Sequence, residues 1–532
     1  MKKITIFDST LRDGAQAEGI SFTVEDKIKI AHALDNLGVD YIEAGNPGSN
    51  PKDLAFFTKL NEENQNPPLK HAKLIAFGST RRKGISAKDD ENVKALLKAK
   101  TDAVCIFGKS WDFHVKEVLR AELEENLNMI RDTISFFKEQ GKEVIFDAEH
   151  FFDGYKNNPD YAMAALNAAK EGKADALVLC DTNGGCFPSE IFEIVKKVTE
   201  NFSLPVGIHT HNDCEMAVAN SIMAVEAGAT HVQGTFTGFG ERCGNANLSA
   251  IIPSLQLKKG YDCIFPEAMK EITHTARFIS EIANTSHNER AAYTGYTAFA
   301  HKGGMHIDAV NKVPESFEHI NPETVGNERK YLMSEVAGRS MLLAKIQQIN
   351  PDVTKDSPET IEIISDLKKL EQKGYQFEGA ESSFELYIRK QLGKYKPLFE
   401  LVNFKTIGEQ PHAESLGASA VIKITVNGQE EITAAEGNGP VNALDKALRK
   451  ALEKFYPELN NVYLTDYKVR VLDSTEATAS QVRVLIESSD GKENWTTVGV
   501  STDIIEASWF ALVDSIEYKL IQEIEQKFKA FM

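Results

Sequence analysis

"EVIFDAEHFFDGYKNNPDYAMAALNAAKEGKADALVLCDT", residues 143–182, contains two short strand-like runs, EVIFDAE (143–149) and ALVLCDT (176–182), on either side of a longer segment of helical period. This is a strand–helix–strand unit, and it is one of a series. Outward from it lie ITIFD (4–8), YIEAG (41–45), KLIAFG (73–78), AVCIFG (103–108), VGIHTH (206–211) and HVQGTF (231–236), each followed by a candidate helix. In VEDKIKIAHALDNLG, residues 24–38, Val24, Ile28, Ala31 and Leu34 fall on one helical stripe, and Gly38 stands where a left-handed C-cap belongs. Eight such units in about 250 residues predict an α/β fold built on a (β/α)8 TIM barrel. A doubly wound open sheet is the competing architecture, but no glycine-rich phosphate loop follows the first strand.

The pattern changes after the eighth unit, and the barrel is expected to occupy residues 1–270. Residues 271–396 read as helical linker subdomains, with helical patterns such as SPETIEIISDLKKLEQKG (357–374) around an irregular stretch rich in glycine and histidine. Residues 397–532 carry a faint duplication. Both copies begin Ala-Ser, at 418 and 479, run through alternating strands, reach a glycine (Gly437, Gly499) and enter a long amphipathic helix. Val441, Leu444, Leu448, Ala451 and Phe455 form the apolar stripe of the first helix. A pseudo-symmetric α+β domain of this kind, with no acid–base cluster of its own, reads as a ligand-binding regulatory domain.

Composition excludes several classes of function. A formal charge of −18 repels phosphate backbones and anionic lipid, so neither nucleic acid nor membrane is an expected partner. The six cysteines are scattered without a C-x-x-C pair, which argues against zinc ribbons, redox dithiols and a disulfide framework and fits a reducing cytoplasm. Asp8 interrupts the first apolar run before a signal peptide could form.

His209 and His211 stand at i and i+2 on a predicted strand, so both side chains point the same way. In a barrel the C-terminal ends of all strands converge on one mouth. That mouth would gather Arg12, Asp13 and Gln16 after the first strand, Glu149 after the fifth, Asp181 and Thr182 after the sixth, and Asn245 after the eighth. A carboxylate, two imidazoles and an amide form a mixed nitrogen and oxygen set for Mg2+, Mn2+ or Zn2+, and the lack of thiolates disfavours a structural zinc. Other readings stay open: satisfied strand-end histidines, a surface Arg12–Asp13 ion pair, a solvated Glu149, and Asn245 as a helix N-cap.

DSTLRDGAQ (8–16), HTHND (209–213) and GFGERCGNANL (238–248), in this order, resemble the acyl-CoA-dependent Claisen-condensing synthases that include 2-isopropylmalate, homocitrate and citramalate synthases. FGSTRRKG (77–84), CIFGKSWDFHV (105–115) and FDAEHFFDGYK (146–156) are most similar to the bacterial citramalate branch. The resemblance implies that Asp13, His209, His211 and Asn245 bind a divalent metal, and that Arg12, Gln16 and Thr182 bind substrate. It implies catalytic roles for Arg12, for Glu149, and for His306 in HKGGMH (301–306), the last arriving from the partner in a homodimer. Pyruvate and acetyl-CoA would then be condensed to citramalate for isoleucine biosynthesis, with isoleucine as feedback effector of the C-terminal domain. Where relatives often place a tyrosine after that histidine, this chain has Phe317. The alternatives are 2-isopropylmalate synthase under leucine control, a metal-dependent carbon–carbon lyase of the same superfamily, and a non-catalytic amino-acid sensor.

Overall fold

In a computed structural model of the protein, Thr5–Asp8 (β1) pairs in parallel with Tyr41–Glu43 (β2) on one side and with His231–Gly234 (β8) on the other. Between them Lys73–Ser79 (β3), Ala103–Lys109 (β4), Glu143–Glu149 (β5), Ala176–Asp181 (β6) and Val206–Thr210 (β7) complete a closed eight-stranded barrel. The structure describes residues 2–60, 68–331, 343, 346–347, 349–354, 357–408, 417–472, 479–491 and 493–531. Every residue of β6, β7 and β8 is buried. That follows from a parallel sheet covered on both faces, and it explains why these strands read as near-continuous apolar runs.

The two faces of β1 and of β3 to β6 go to two different cores. Inside the barrel, Phe7, Ile75, Ala103, Cys105, Ile145, Ala176, Val178 and Cys180 form a packed cluster. Outside, residues such as Ile6, Ile42, Ala76, Val104, Val144 and Leu177 meet the surrounding helices. Val24–Leu37 (α1) shows how local sequence sets a helix. Thr23 and Asp26 form a capping box at its start, Ile28, Ala31 and Leu34 are buried, and Gly38 ends it at φ 85°. Leu123–Glu139 (α2) follows β4 through a single π-helical turn, His114–Leu119.

The chain divides into two compact units, residues 1–300 with 318–330, and residues 301–317 with 331–532. The region read from sequence as linker therefore contributes to both. In the second unit, Gly304–Lys312 (α3) precedes a duplicated α+β arrangement. Glu400–Gly408 (β9), Ala418–Val426 (β10) and Gln429–Gly437 (β11) form one antiparallel sheet, followed by Pro440–Leu452 (α4). Tyr463–Val471 (β12), Val482–Ser489 (β13) and Asn494–Ser501 (β14) form another, followed by Ile504–Phe531 (α5). Ile422, Ile424, Leu444 and Leu448 of the first copy share one core with Val484, Ile486, Leu512 and Ile516 of the second. Val441 and Phe455 only flank it. Among the described residues no helix is long and apolar enough to cross a membrane.

The paired glycines of the duplication have a common physical cause. Gly437 ends β11 and Gly499 lies two residues before the end of β14, an even offset that keeps both on the same face of their sheets. A side chain at Gly437 would run into the Ala443 backbone, and one at Gly499 into the Ala507 carbonyl, because the following helix crosses the strand there. Gly408 has open space around it. Gly499→Ala is therefore expected to destabilise the second unit by about 1–3 kcal/mol. A urea titration should show a lower midpoint for it than for Gly408→Ala, and equal midpoints would mean that helix and strand are not in such close approach.

Candidate active site

Asp13 follows β1 just before a short 3-10 turn, Gly14–Gln16, while His209 lies on β7 and His211 one residue beyond it. These three buried side chains converge, each offering a ligand atom, all within 4.8 Å of one another. The Nε2 atoms of His209 and His211 are 3.2 Å apart, and His209 Nε2 is 3.5 Å from Asp13 Oδ2. Behind His209 stands a chain of contacts. Its Nδ1 faces Gln233 Oε1 at 3.0 Å, and Gln233 Nε2 donates to Asp147 Oδ1 at 2.9 Å. With the amide held this way, the His209 proton sits on Nδ1 and the Nε2 lone pair faces Asp13 and His211. Burial pushes His209 down to about 3 and also lowers His211, so both rings are neutral and able to act as ligands.

Asn245 lies next to this group, with its side chain hydrogen-bonded to Asp13. It forms a β-bridge with His211, its Nδ2 donates to the Phe239 carbonyl at 3.1 Å, and its Oδ1 is buried without a hydrogen-bond partner. A buried amide oxygen left unpaired, on a side chain that also hydrogen-bonds the Asp13 carboxylate, is a group that a divalent cation would satisfy. The N-cap reading of Asn245 does not hold: Asn247 caps the next helix, accepting from Ser249 N at 3.0 Å.

Arg12 and Asp13 are not a surface pair, since their side chains are only 12% and 6% exposed. Arg12 Nη1 lies 3.1 Å from Asp13 Oδ2, its Nε donates to Glu43 Oε2 at 2.6 Å, and its guanidinium carbon sits 3.7 Å from the Phe77 ring centre. Burial opposes the charge on Arg12, but Glu43 and Asp13 outweigh it and hold the guanidinium protonated. Burial likewise works to raise Asp13, and Arg12 overrides it, holding the carboxyl down at about 2. Glu43, fully buried, also accepts from Ser9 Oγ at 2.5 Å.

A cavity of about 180 Å3 opens beside this cluster, lined by Arg12, Asp13, Phe77, Phe107, Asp147, Glu149, Cys180, Thr182, His209 and His211. Glu149 ends β5 and is ion-paired with Lys109, which ends β4. Thr182 Oγ1 accepts from His150 N at 2.9 Å. Asp181 is buried beneath, accepting from Cys186 N, and Gln16 is exposed on its turn and does not line the cavity. His306 belongs to the second unit, on α3, where its ring stacks on Phe317 with 4.2 Å between centroids.

Sequence reasoning passed over Glu43, Asp147, Gln233, Lys109, Phe77 and Phe107. The signal was available in the alternation used for the histidines: Asp147 and Glu149, and Phe107 and Lys109, are also i,i+2 pairs at the ends of strands.

The HMGL-like family model matches residues 3–287. An (R)-citramalate synthase of Geobacter sulfurreducens is 54% identical over 99% of both chains. The chain belongs to the HMGL-like family, among its (R)-citramalate synthases. One from Aquifex aeolicus is 53% identical, again over 99% of each chain. Identity falls to 30%, over 97% of this chain and 98% of the other, for a Methanopyrus kandleri protein named "Probable 2-isopropylmalate synthase". Beyond the barrel, residues 293–375 match a homocitrate synthase post-HMGL domain-like model and residues 378–520 the LeuA allosteric (dimerisation) domain.

Metal binding tests the cluster directly. Asp13→Ala is expected to abolish tight Mn2+ binding in a calorimetric titration of the full-length protein, and Gln233→Leu to weaken it about 10- to 100-fold by freeing the His209 ring. Undiminished binding in Asp13→Ala would place the cation elsewhere.

Proposed function

We propose that the protein condenses acetyl-CoA with pyruvate and hydrolyses the resulting thioester, releasing citramalate and CoA. The observation that carries this reading is the convergence of Asp13, His209 and His211 beside Arg12 in a small cavity, with the buried, unpaired Oδ1 of Asn245 on the residue bridged to His211. Those four residues are the proposed ligands of a divalent cation, which when bound supplies Lewis-acid polarisation of the pyruvate ketone.

The chain's own groups account for the rest. Arg12, held charged by Glu43 and Asp13, donates a hydrogen bond to the ketone oxygen as negative charge develops there. Thr182, on the cavity wall, holds the pyruvate carboxylate, and Gln16 is a further substrate contact reached only by movement of its exposed turn. Glu149 takes a proton from the acetyl methyl with His306 of the other subunit assisting, and the carbon nucleophile so formed attacks C2 of pyruvate. Phe77 and Phe107 stack 5.1 Å apart on the wall of the cavity and restrict the substituent that the 2-oxo acid can carry. The match to the LeuA domain supports a homodimer, with isoleucine as the proposed effector.

The first experiment follows thiol release with acetyl-CoA and, in turn, pyruvate, 2-oxobutyrate, 2-oxoisovalerate and 2-oxoglutarate. Pyruvate should far exceed the others, and chelation should abolish the rate. Preference for 2-oxoisovalerate would move the assignment to 2-isopropylmalate synthesis. Isoleucine, and not leucine, is expected to inhibit. For the shared site, inactive Asp13→Ala and His306→Ala variants are mixed; activity should return on subunit exchange, and its failure to do so after verified exchange removes His306 from the active site.

A further inference from the structure

The loop GFGERCGNANL, residues 238–248, supplies the proposed ligand Asn245, but nothing in the reaction chemistry accounts for the arginine within it. Arg242 has a left-handed backbone, at φ 54°, a conformation that a residue with a side chain adopts only at a cost. Three other left-handed positions in the same loop, 238, 240 and 244, are filled by glycine, which adopts it freely. The arginine at the fourth therefore stands there for its side chain.

That side chain ties three loops of the barrel mouth together. Its Nε and Nη2 donate to Asp213 Oδ1 and Oδ2 at 2.8 and 2.9 Å, a two-point clasp on the loop after β7. Nη2 also donates to the carbonyl of Thr182, just after β6, at 2.8 Å. The seat beneath the clasp is tight, since a side chain at Gly184 would meet Asp213 Oδ2. Alongside it, Asn212 N donates to the Gly244 carbonyl at 2.9 Å, and His211 bridges to Asn245. Thr182 lines the reaction cavity and Arg242 does not. The guanidinium thus reaches the cavity only through the residues it holds.

Thr182 is held at both ends. Its carbonyl accepts from Arg242, and its hydroxyl oxygen accepts from His150 N at 2.9 Å, where His150 is itself left-handed at φ 56°. A threonine hydroxyl has one proton to give and two lone pairs. One lone pair is occupied by the His150 N–H, and the described residues offer the proton no acceptor, so it is left for what enters the cavity. A carboxylate entering a cavity that already holds the ionised Asp13 needs donors directed at it, and this hydroxyl is one.

We propose that Arg242 is a positioning residue for the 2-oxo acid. It holds Thr182 so that the hydroxyl donates to the substrate carboxylate, and it sets affinity for the acid without touching it. The inference rests on the proposed reaction for the identity of that acid.

The test uses the full-length, Mn2+-loaded enzyme. Arg242→Gly suits the left-handed backbone and removes only the side chain. It is expected to raise KM for pyruvate about tenfold or more, with KM for acetyl-CoA unchanged and kcat within about twofold, because a contact made equally in ground and transition states acts on KM. Arg242→Lys keeps the charge but not the fork and should behave as Arg242→Gly does; if Arg242→Gly does not fold, Arg242→Lys is read by the same comparison. Thr182→Val separates positioning from general support, since in that background the Arg242 substitution should raise KM for pyruvate no further. Additive effects of the two substitutions, or equal rises in KM for both substrates, overturn the proposal. Thiol release from no 2-oxo acid overturns the proposed reaction and this inference with it. Turnover of pyruvate with unchanged KM in the Arg242 variants overturns the inference alone.

Discussion

The site depends on one set of hydrogen bonds, those by which β1 closes onto β8. Asp8 stands in register with Gly234, Ser9 N donates to the Gly234 carbonyl at 2.8 Å, and Phe236 N donates to Thr10 Oγ1 at 2.9 Å. This seam joins the first strand to the last and so brings Asp13 to the loop that carries Asn245. Gly234 is required there because Ala246 passes so close that a side chain would meet its carbonyl. An open sheet with the same strands would leave Asp13 and Asn245 at opposite edges.

Closure also creates the electrostatic problem that the mouth solves. Arg12, Asp13, Glu43 and Asp147 are all brought into a largely water-excluded space, where an unpaired charge is costly. The solution is partition. Arg12 is shared between Glu43 and Asp13, which keeps the guanidinium charged and Asp13 ionised. Asp147, buried and close to the Glu43 charge, is pushed up to about 7 and is held by Gln233. The imidazoles respond in the opposite sense, losing their protons through burial. An ionised carboxylate therefore faces two neutral imidazoles, an arrangement suited to a cation and not to a salt bridge.

The second unit handles its backbone differently. Its two three-stranded sheets each carry one helix, and the six strands and two helices share one core. Helix and strand approach closely at Gly437 and Gly499, so small residues are needed where the elements cross, and apolar side chains fill the space on either side. The duplication is faint in sequence because this constraint fixes only a few positions, while the exposed faces of the strands are free to differ.

Local periodicity alone determined the elements of this protein. Eight strands, the stripe and C-cap of α1, and the shared face of His209 and His211 were legible because each depends on residues only a few positions apart. The motifs also marked Arg12, Asp13 and Asn245. What the sequence did not disclose was which face of each strand looks into the barrel mouth. Glu43, Asp147 and Gln233 therefore read as ordinary strand residues until closure set them behind Arg12 and His209. The same limit applied to Asn245 and Asn247, two residues apart in one loop, either of which could cap the following helix. Only the path of that loop across Gly234 assigned the cap to Asn247 and left Asn245 Oδ1 buried without a hydrogen-bond partner. Spacing along the chain sets local hydrogen bonds, but the encounter of residues more than 200 positions apart is decided by how the sheet closes.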